Sequence, residues 1–181
     1  MEDPPEDAYG RVTNPERFAS LIPAAEALIA DLGRRFDVVV DRGPAPPSRS
    51  RTVATLELVT ITPVQRDQAP LTITFTSFPG LYLRAGAWQD FALPACGCDA
   101  CEEDAEYVLR ELAEYAEALT AGRLSEPITG HLRAVLEFSW EGDDWRRHGT
   151  TTLSVADVTT LRARPVQPPA DGHWRPWSPR R

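Results

Sequence analysis

The chain has 181 residues, of which 42% are hydrophobic and 25% charged, and its formal net charge at pH 7 is -8. This length and composition predict one globular domain with some chain to spare and exclude a disordered protein. The negative charge argues against nucleic acid as a partner, because it repels the phosphate backbone. All 19 basic residues are arginine, which excludes chemistry that needs a lysine, such as Schiff-base formation and P-loop phosphate binding.

The cellular compartment can be inferred from the apolar runs and the cysteines. No apolar run approaches the ~20 residues of a membrane-spanning helix, and the opening MEDPPEDAYG is acidic where a secretion signal is basic and then apolar. The three cysteines are an odd number in one short stretch, which fits ligand or redox chemistry better than a disulfide framework. We therefore expect a cytoplasmic protein that contacts neither membrane nor nucleic acid.

The first predicted elements are helical. Thr13 or Asn14 is expected to cap a helix start, with Glu16 reaching back to the cap. Pro23 either kinks this helix or begins a second one, and Gly33 is expected to end it. The apolar residues recur every three or four positions, as on one buried helical face: Phe18, Leu21, Ile22, Ala25, Leu28, Ile29 and Leu32.

A series of strands is predicted next. A short strand at about 36–40 and a Pro-rich loop precede residues 52–62, which are rich in Thr, Val and Leu. In the following strand, apolar residues alternate with threonines, at Leu71, Ile73 and Phe75. A turn at 78–80 leads into a further alternating strand. Together these segments predict an antiparallel meander.

The clearest helix follows the cysteines, from about residue 102 to 121, and Gly122 supplies its stop. Its apolar stripe comprises Val108, Leu109, Leu112, Tyr115, Ala116 and Leu119. An alternating strand at 131–140 and the turn EGDDW come next, and residues 145–153 are expected to pair back on that strand. The element order predicts an α+β fold, with a mostly antiparallel sheet and two main helices packed on one face.

The composition changes near the C-terminus, where Pro, Trp and Arg become frequent. We assign residues 9–163 to a single α+β domain and residues 164–181 to a C-terminal tail. Two interpretations of the tail are open: it is flexible or clings to the surface, or it docks Trp174 and Trp177 on a partner.

All three cysteines lie within six residues, in the stretch CGCDAC from Cys96 to Cys101. The spacing C-x-C-x2-C, with Cys98 in the middle, lets three thiolates converge on one zinc ion at about 2.3 Å. Metal binding is therefore the leading interpretation, thiol redox chemistry the second, and unreactive thiols the third. The carboxylates nearby favour a bound cation, and they raise thiol pKa values, which argues against the redox role.

A tetrahedral zinc site needs a fourth ligand. The helix carries the chain ~30 Å from the cysteines, and a strand of about ten residues carries it back a similar distance. His148, just after the return turn, is therefore the predicted fourth ligand, whereas His131 is expected at the far end. Asp99, His173, water and a group from a partner are the alternatives, and the other reading of His148 is a solvated histidine beside two arginines.

Three stretches of the sequence resemble a family of small actinobacterial proteins of unknown function with a CGCDAC signature. They read YGRVTNPERF, FTSFPGLYLRAGAWQDF and CGCDACEE. The resemblance covers roughly residues 9–123. It implies the cytosol of a high-GC bacterium, and it carries no activity over to this chain.

The function expected from the sequence is that of a non-enzymatic cytosolic protein with a structural zinc knuckle at Cys96, Cys98 and Cys101. Such a protein acts through contacts with a protein partner. One alternative is a thiol-based redox enzyme or a metal-dependent enzyme that uses the same residues. Another is an acidic interaction or immunity-type protein without metal, whose charge meets a basic partner.

Overall fold

The computed structural model describes residue 5 and residues 8–48, 53–101, 103–130 and 134–181. The predictions that fall on residues 52, 102 and His131 lie outside these residues. A 3-10 turn at Pro15–Phe18 comes first, and twelve helices and strands follow. In chain order they are α1 Leu21–Arg35, β1 Val38–Pro44, β2 Thr55–Pro63, β3 Leu71–Thr76, β4 Leu81–Ala85, β5 Gln89–Leu93, α2 Ala105–Thr120, β6 Leu124–Ser125, β7 Ile128–Thr129, β8 Ala134–Glu141, β9 Arg146–Leu153 and α3 Val155–Arg162.

The N-terminal helical region divides in two, as one reading of Pro23 predicted. Pro23 lies in the first turn of α1, where its missing N–H breaks no helical hydrogen bond. Gly33 does not end the helix, so that prediction was wrong, and α1 continues to Arg35. The glycine instead faces β1, since a Cβ on it would lie 3.5 Å from Val40 Cγ2.

The predicted meander is confirmed as a five-stranded antiparallel sheet in the order β1-β2-β3-β4-β5. Alternation places apolar side chains of β3 in the core and leaves Thr72 and Thr74 half-buried. The strand β5 was not predicted, although its pairing with β4 places the cysteine loop at the end of this sheet. The fold is therefore α+β with mostly antiparallel pairing.

A second sheet is built around β8. As predicted, β9 pairs with β8 along its whole length, from Ala134 opposite Leu153 to Glu141 opposite Arg146. The short strands β6 and β7 also pair with β8, and neither was predicted. Because β6 follows directly on α2, its pairing fixes where the end of β8 lies.

The main core is formed by buried residues of α1, α2 and the five-stranded sheet, together with residues of the loops, the second sheet and the C-terminal segment. The predicted stripe of α2 is buried at Val108, Leu112, Tyr115, Ala116 and Leu119. Burial of such apolar faces is the dominant favourable contribution to folding. An aromatic cluster joins the two sheets through α2, with the ring of Tyr115 4.6 Å from Phe91 and 4.9 Å from Trp140.

The C-terminal segment, residues 164–181, packs against the rest of the chain. Trp174 and Trp177 are only 2% and 4% exposed and belong to the main core. Trp177 donates its indole N–H to the carbonyl of Ala69 at 2.9 Å. Both tryptophans thus fill the protein's own core, which was neither of the two readings of the tail.

Among the residues that the structure describes, we find no helix of the length and apolarity that crossing a bilayer requires.

Candidate metal centre

The loop between β5 and α2 carries the three cysteines and is shaped by close local packing. Gly97 lies against the ring of Phe78, where an added Cβ would come within 2.5 Å of Cζ. Only glycine permits this approach. The backbone N–H of Cys101 donates to the carbonyl of Cys98 at 3.3 Å and closes a tight turn. The side chain of Asp104 then caps α2 by accepting from the N–H of Tyr107 at 2.7 Å.

The three sulfurs converge as the sequence predicted. The Sγ atom of Cys98 lies 3.3 Å from that of Cys96 and 3.3 Å from that of Cys101. All three lie within 4.8 Å of one another, and within the described ranges no other group of His, Cys, Asp or Glu side chains could hold a metal ion. These separations exceed the ~2.05 Å of a disulfide. They leave a common point about 2.3 Å from each sulfur, the usual zinc–thiolate distance.

The central thiol differs from its neighbours in burial and in acidity. Cys98 is buried, whereas Cys96 and Cys101 are exposed. The backbone N–H of Gly10 donates to the Cys98 sulfur and is the main reason that the pKa of Cys98 falls to about 6. The thiols of Cys96 and Cys101 and the N–H of Ala100 add to this effect.

Cys101 shifts in the opposite direction. Its hydrogen bond to Cys98, followed by its interaction with Cys96, raises the pKa of Cys101 to about 12. The opposite directions of the two shifts reflect the hydrogen bonds between the sulfurs. A cation placed between the sulfurs would favour the thiolate form of all three.

The N-terminal segment, defined here as residues 8–18, wraps the cysteine loop. Arg17 donates through Nη2 to the carbonyls of Gly97 and Cys98, each at 3.2 Å. The N–H of Asp99 donates to the carbonyl of Arg11 at 2.8 Å. Together with the Gly10 bond to the Cys98 sulfur, these contacts support the loop from one side. Sequence reasoning missed this segment, which is distant from the cysteines along the chain.

Asp99 is a clamp between the loop and that segment. Its Oδ1 accepts from the backbone N–H of Thr13 at 2.9 Å and from the Thr13 hydroxyl at 3.1 Å, and its Oδ2 accepts from Arg11 Nε at 3.1 Å. These donors, led by the Thr13 N–H, hold the pKa of Asp99 below its usual value. Asn14 precedes the 3-10 turn without a side-chain capping bond. The cap predicted at Asn14 is therefore not formed, and the hydroxyl of Thr13, the other candidate, donates to Asp99.

Glu103 holds the other end of the loop. Its two carboxylate oxygens accept from the backbone N–H groups of Ala95 and Cys96, each at 2.9 Å. Because α2 begins at Ala105, Glu103 lies just before the helix. Its hydrogen bonds therefore connect the chain entering α2 to the backbone of Cys96, the first cysteine. The described carboxylates of the loop thus organise the backbone around the sulfurs.

The structure brings the three cysteines together without either described histidine. His148 lies on β9 opposite Ser139, and no atom of it belongs to the group of converging ligand atoms. His173 lies in the C-terminal segment, where its Nδ1 is 2.7 Å from the carbonyl oxygen of Asp171. Asp99, the third alternative, bonds to the N-terminal segment.

The position of His148 follows from the way the end of β8 is held beside β6 and the residue before it, Arg123. Glu141 donates its N–H to the carbonyl of Arg123 at 3.3 Å, and Asp143 pairs with the Arg123 guanidinium at 2.5 Å. The turn between β8 and β9 therefore lies beside the C-terminal end of α2. The cysteines precede the N-terminal end of this helix, whose 16 residues span about 24 Å.

A buried carboxylate that sequence reasoning also missed anchors the C-terminal segment. Glu126 is fully buried and accepts from the backbone N–H groups of Ala87 and Trp88, each at 2.9 Å, and from Trp174 Nε1 at 2.8 Å. Burial raises the pKa of Glu126, and the N–H donors oppose that shift. Its sequence context, Ser-Glu-Pro, is that of an ordinary loop and gives no signal of this role.

The fold and the converging sulfurs define an α+β protein with a three-cysteine cluster ahead of a helix. Residues 1–181 match the model of a family of unknown function, DUF6226, so the chain belongs to that family. The match covers the whole chain and not only the three stretches that carry the resemblance. No curated protein and no solved structure matches this chain.

Proposed function

We propose that this protein binds one zinc ion through Cys96, Cys98 and Cys101 and that the ion has a structural role. The observation that carries the proposal is the convergence of three sulfurs within 4.8 Å of one another. Thiolates are the ligands that zinc prefers at structural sites. The zinc joins the cysteine loop to the start of α2 and keeps the N-terminal segment in place.

The surroundings of the sulfurs support a structural rather than a catalytic role. The nearby carboxylates of Asp99, Glu103 and Asp104 all accept hydrogen bonds from backbone N–H groups. A general base must instead reach the proton it abstracts. As part of the same proposal, the protein acts in the cytoplasm through contacts with a protein partner, and its net charge of -8 favours a partner with a basic surface.

Native mass spectrometry of protein purified without chelator tests the proposal. The expected spectrum shows the mass of the chain plus one zinc, and the ion is lost from variants with Cys96→Ser, Cys98→Ser or Cys101→Ser. The matched control is Ser125→Ala, which changes a side chain of similar size on β6 in the second sheet. An apo mass with three titratable thiols, persisting after zinc is added back, contradicts the proposal.

A second candidate function, thiol redox exchange, is favoured by one observation. The sulfurs of Cys98 and Cys101 are 3.3 Å apart, so a small movement brings them to disulfide distance. The two roles differ in what oxidation does. A redox protein exchanges this disulfide reversibly and keeps its stability, whereas a structural zinc protein loses its ion and becomes less stable.

A further inference from the structure

We infer that the metal at this cluster takes its fourth ligand from outside the chain, and that this ligand is a thiolate. The inference rests on the proposed function, because it concerns the same ion. It turns the cluster from a closed structural site into one that accepts a ligand, either a small thiol or a cysteine of a partner protein. Three lines of geometry support it.

The first line is that the described carboxylates near the sulfurs already have other partners. Asp99 binds Thr13 and Arg11, and Glu103 binds two backbone N–H groups of the loop. Asp104 caps α2 through the N–H of Tyr107. Moving any of them onto the metal breaks or weakens these hydrogen bonds and loosens the loop that carries the cysteines.

The second line is the placement of the histidines that the structure describes. His148 lies on β9, whose connection to β8 is held beside Arg123 at the far end of α2. His173 pairs through its backbone with Ser125 on β6 and contacts Asp171 through its ring. Neither histidine belongs to the group of converging ligand atoms.

The third line is the direction in which the cluster faces. Cys98 is buried and receives the N–H of Gly10, so the protein covers the central sulfur. Cys96 and Cys101 are exposed. A further ligand would therefore approach a metal at this cluster from the solvent side, where Cys96 and Cys101 are exposed.

Thiolate is the ligand class that fits this ion best. A metal held by three soft sulfurs favours a soft fourth donor, and four thiolates make a common closed zinc site. The charge of Arg17, which donates to two carbonyls of the loop, offsets part of the added negative charge. In the exchange, a thiol R–SH releases its proton to solvent, its sulfur bonds to the metal, and a bound water leaves. No oxidation or reduction is involved.

The test uses the full chain loaded with one equivalent of cobalt(II), freed of small thiols by desalting, and titrated with 2-mercaptoethanol. Cobalt(II) replaces zinc and reports each Co–S bond by its sulfur-to-metal charge-transfer absorbance. We expect this absorbance to rise by about one third at saturation, as three Co–S bonds become four. A spectrum that millimolar thiol leaves unchanged overturns the inference, because a group of the chain then fills the fourth position.

The Glu102→Gln variant is measured in parallel, because Glu102 adjoins Cys101 and lies outside the described residues. If only this variant responds to thiol, Glu102 is the fourth ligand and the inference is wrong. If wild type and variant respond alike, the result supports a fourth ligand that comes from outside the chain. Failure of the proposed function looks different, since the wild-type chain then shows no sulfur-to-cobalt absorbance before any thiol is added, and both ideas are overturned.

Discussion

Asp99 binds Thr13 through two hydrogen bonds, one from the Thr13 backbone N–H at 2.9 Å and one from its hydroxyl at 3.1 Å. A residue between two cysteines of the cluster thus holds the N-terminal segment, which is more than 80 residues away along the chain. Both oxygens of the carboxylate accept hydrogen bonds from the N-terminal segment. Its effect on a metal is therefore indirect, through the position of the backbone that carries Cys98.

Replacing Asp99 by Asn is expected to weaken metal binding by about 10- to 100-fold, the usual effect of losing a partner that orients the ligands. The amide retains the shape of the carboxylate and loses its charge, so the bonds from Thr13 and Arg11 weaken. Competition with a zinc chelator measures the affinity. Hydrogen exchange of residues 8–18 should become faster in the same variant.

Asp143→Asn is the matched control for this prediction. Asp143 also pairs with an arginine, at 2.5 Å from Arg123, but it does so at the far end of α2 and is exposed. A surface pair of this kind contributes about 0–1 kcal/mol. Equal losses of zinc affinity in the two variants would show that general destabilisation, and not the clamp, is responsible.

Replacing Cys98 by Ser is expected to remove the metal and to lower the melting temperature. Because metal-binding energy is folding energy at a structural site, a loss of at least about 3 kcal/mol corresponds to a shift of about 10 °C for a chain of this size. Differential scanning calorimetry measures the shift, and a chelator should lower the wild-type value similarly. A variant that melts like wild type but no longer exchanges disulfides favours the redox alternative.

The local elements of the fold were predictable where side-chain periodicity is strong. The alternation in β3, the stripe of α2 and the stop at Gly122 each reflect a residue pattern that local physics enforces, and Gly122 has the positive φ of 72° that favours glycine. The strands β6 and β7 have two residues each. A period of two cannot be read from so short a stretch, and only their pairing with β8 defines them.

The candidate site was predictable in its ligands and not in its surroundings. Three cysteines within six residues are local, so their convergence follows from short-range geometry. The contacts of Gly10 and Thr13 with the loop depend on the path of the whole chain, which no spacing reveals. The argument for His148 did not include β6, which pairs with the end of β8 shortly after α2 ends.

Replacing Glu126 by Gln is expected to destabilise the protein by about 1–3 kcal/mol, because the amide NH2 cannot accept the N–H hydrogen bond that either carboxyl oxygen accepts, whether or not the group is protonated. The pKa of Glu126 is raised by burial, so its contribution is complete below the usual value of 4.5 and declines as pH rises through the folded pKa. Denaturation monitored by tryptophan fluorescence should therefore show the gap between wild type and variant narrowing above pH 4.5. A stability difference between wild type and variant that widens with rising pH would contradict the expected direction of the pH dependence.

Replacing His148 by Ala is expected to leave the zinc content at one ion per chain. The histidine is exposed on β9 opposite Ser139, and its strand is fixed to the second sheet by pairing from Ala134 to Glu141. Native mass spectrometry measures the content, with Cys101→Ser as the control that loses the ion. If His148→Ala also loses the ion while its melting temperature in chelator equals that of wild type, His148 is a ligand after all, and β9 must leave β8 when metal binds.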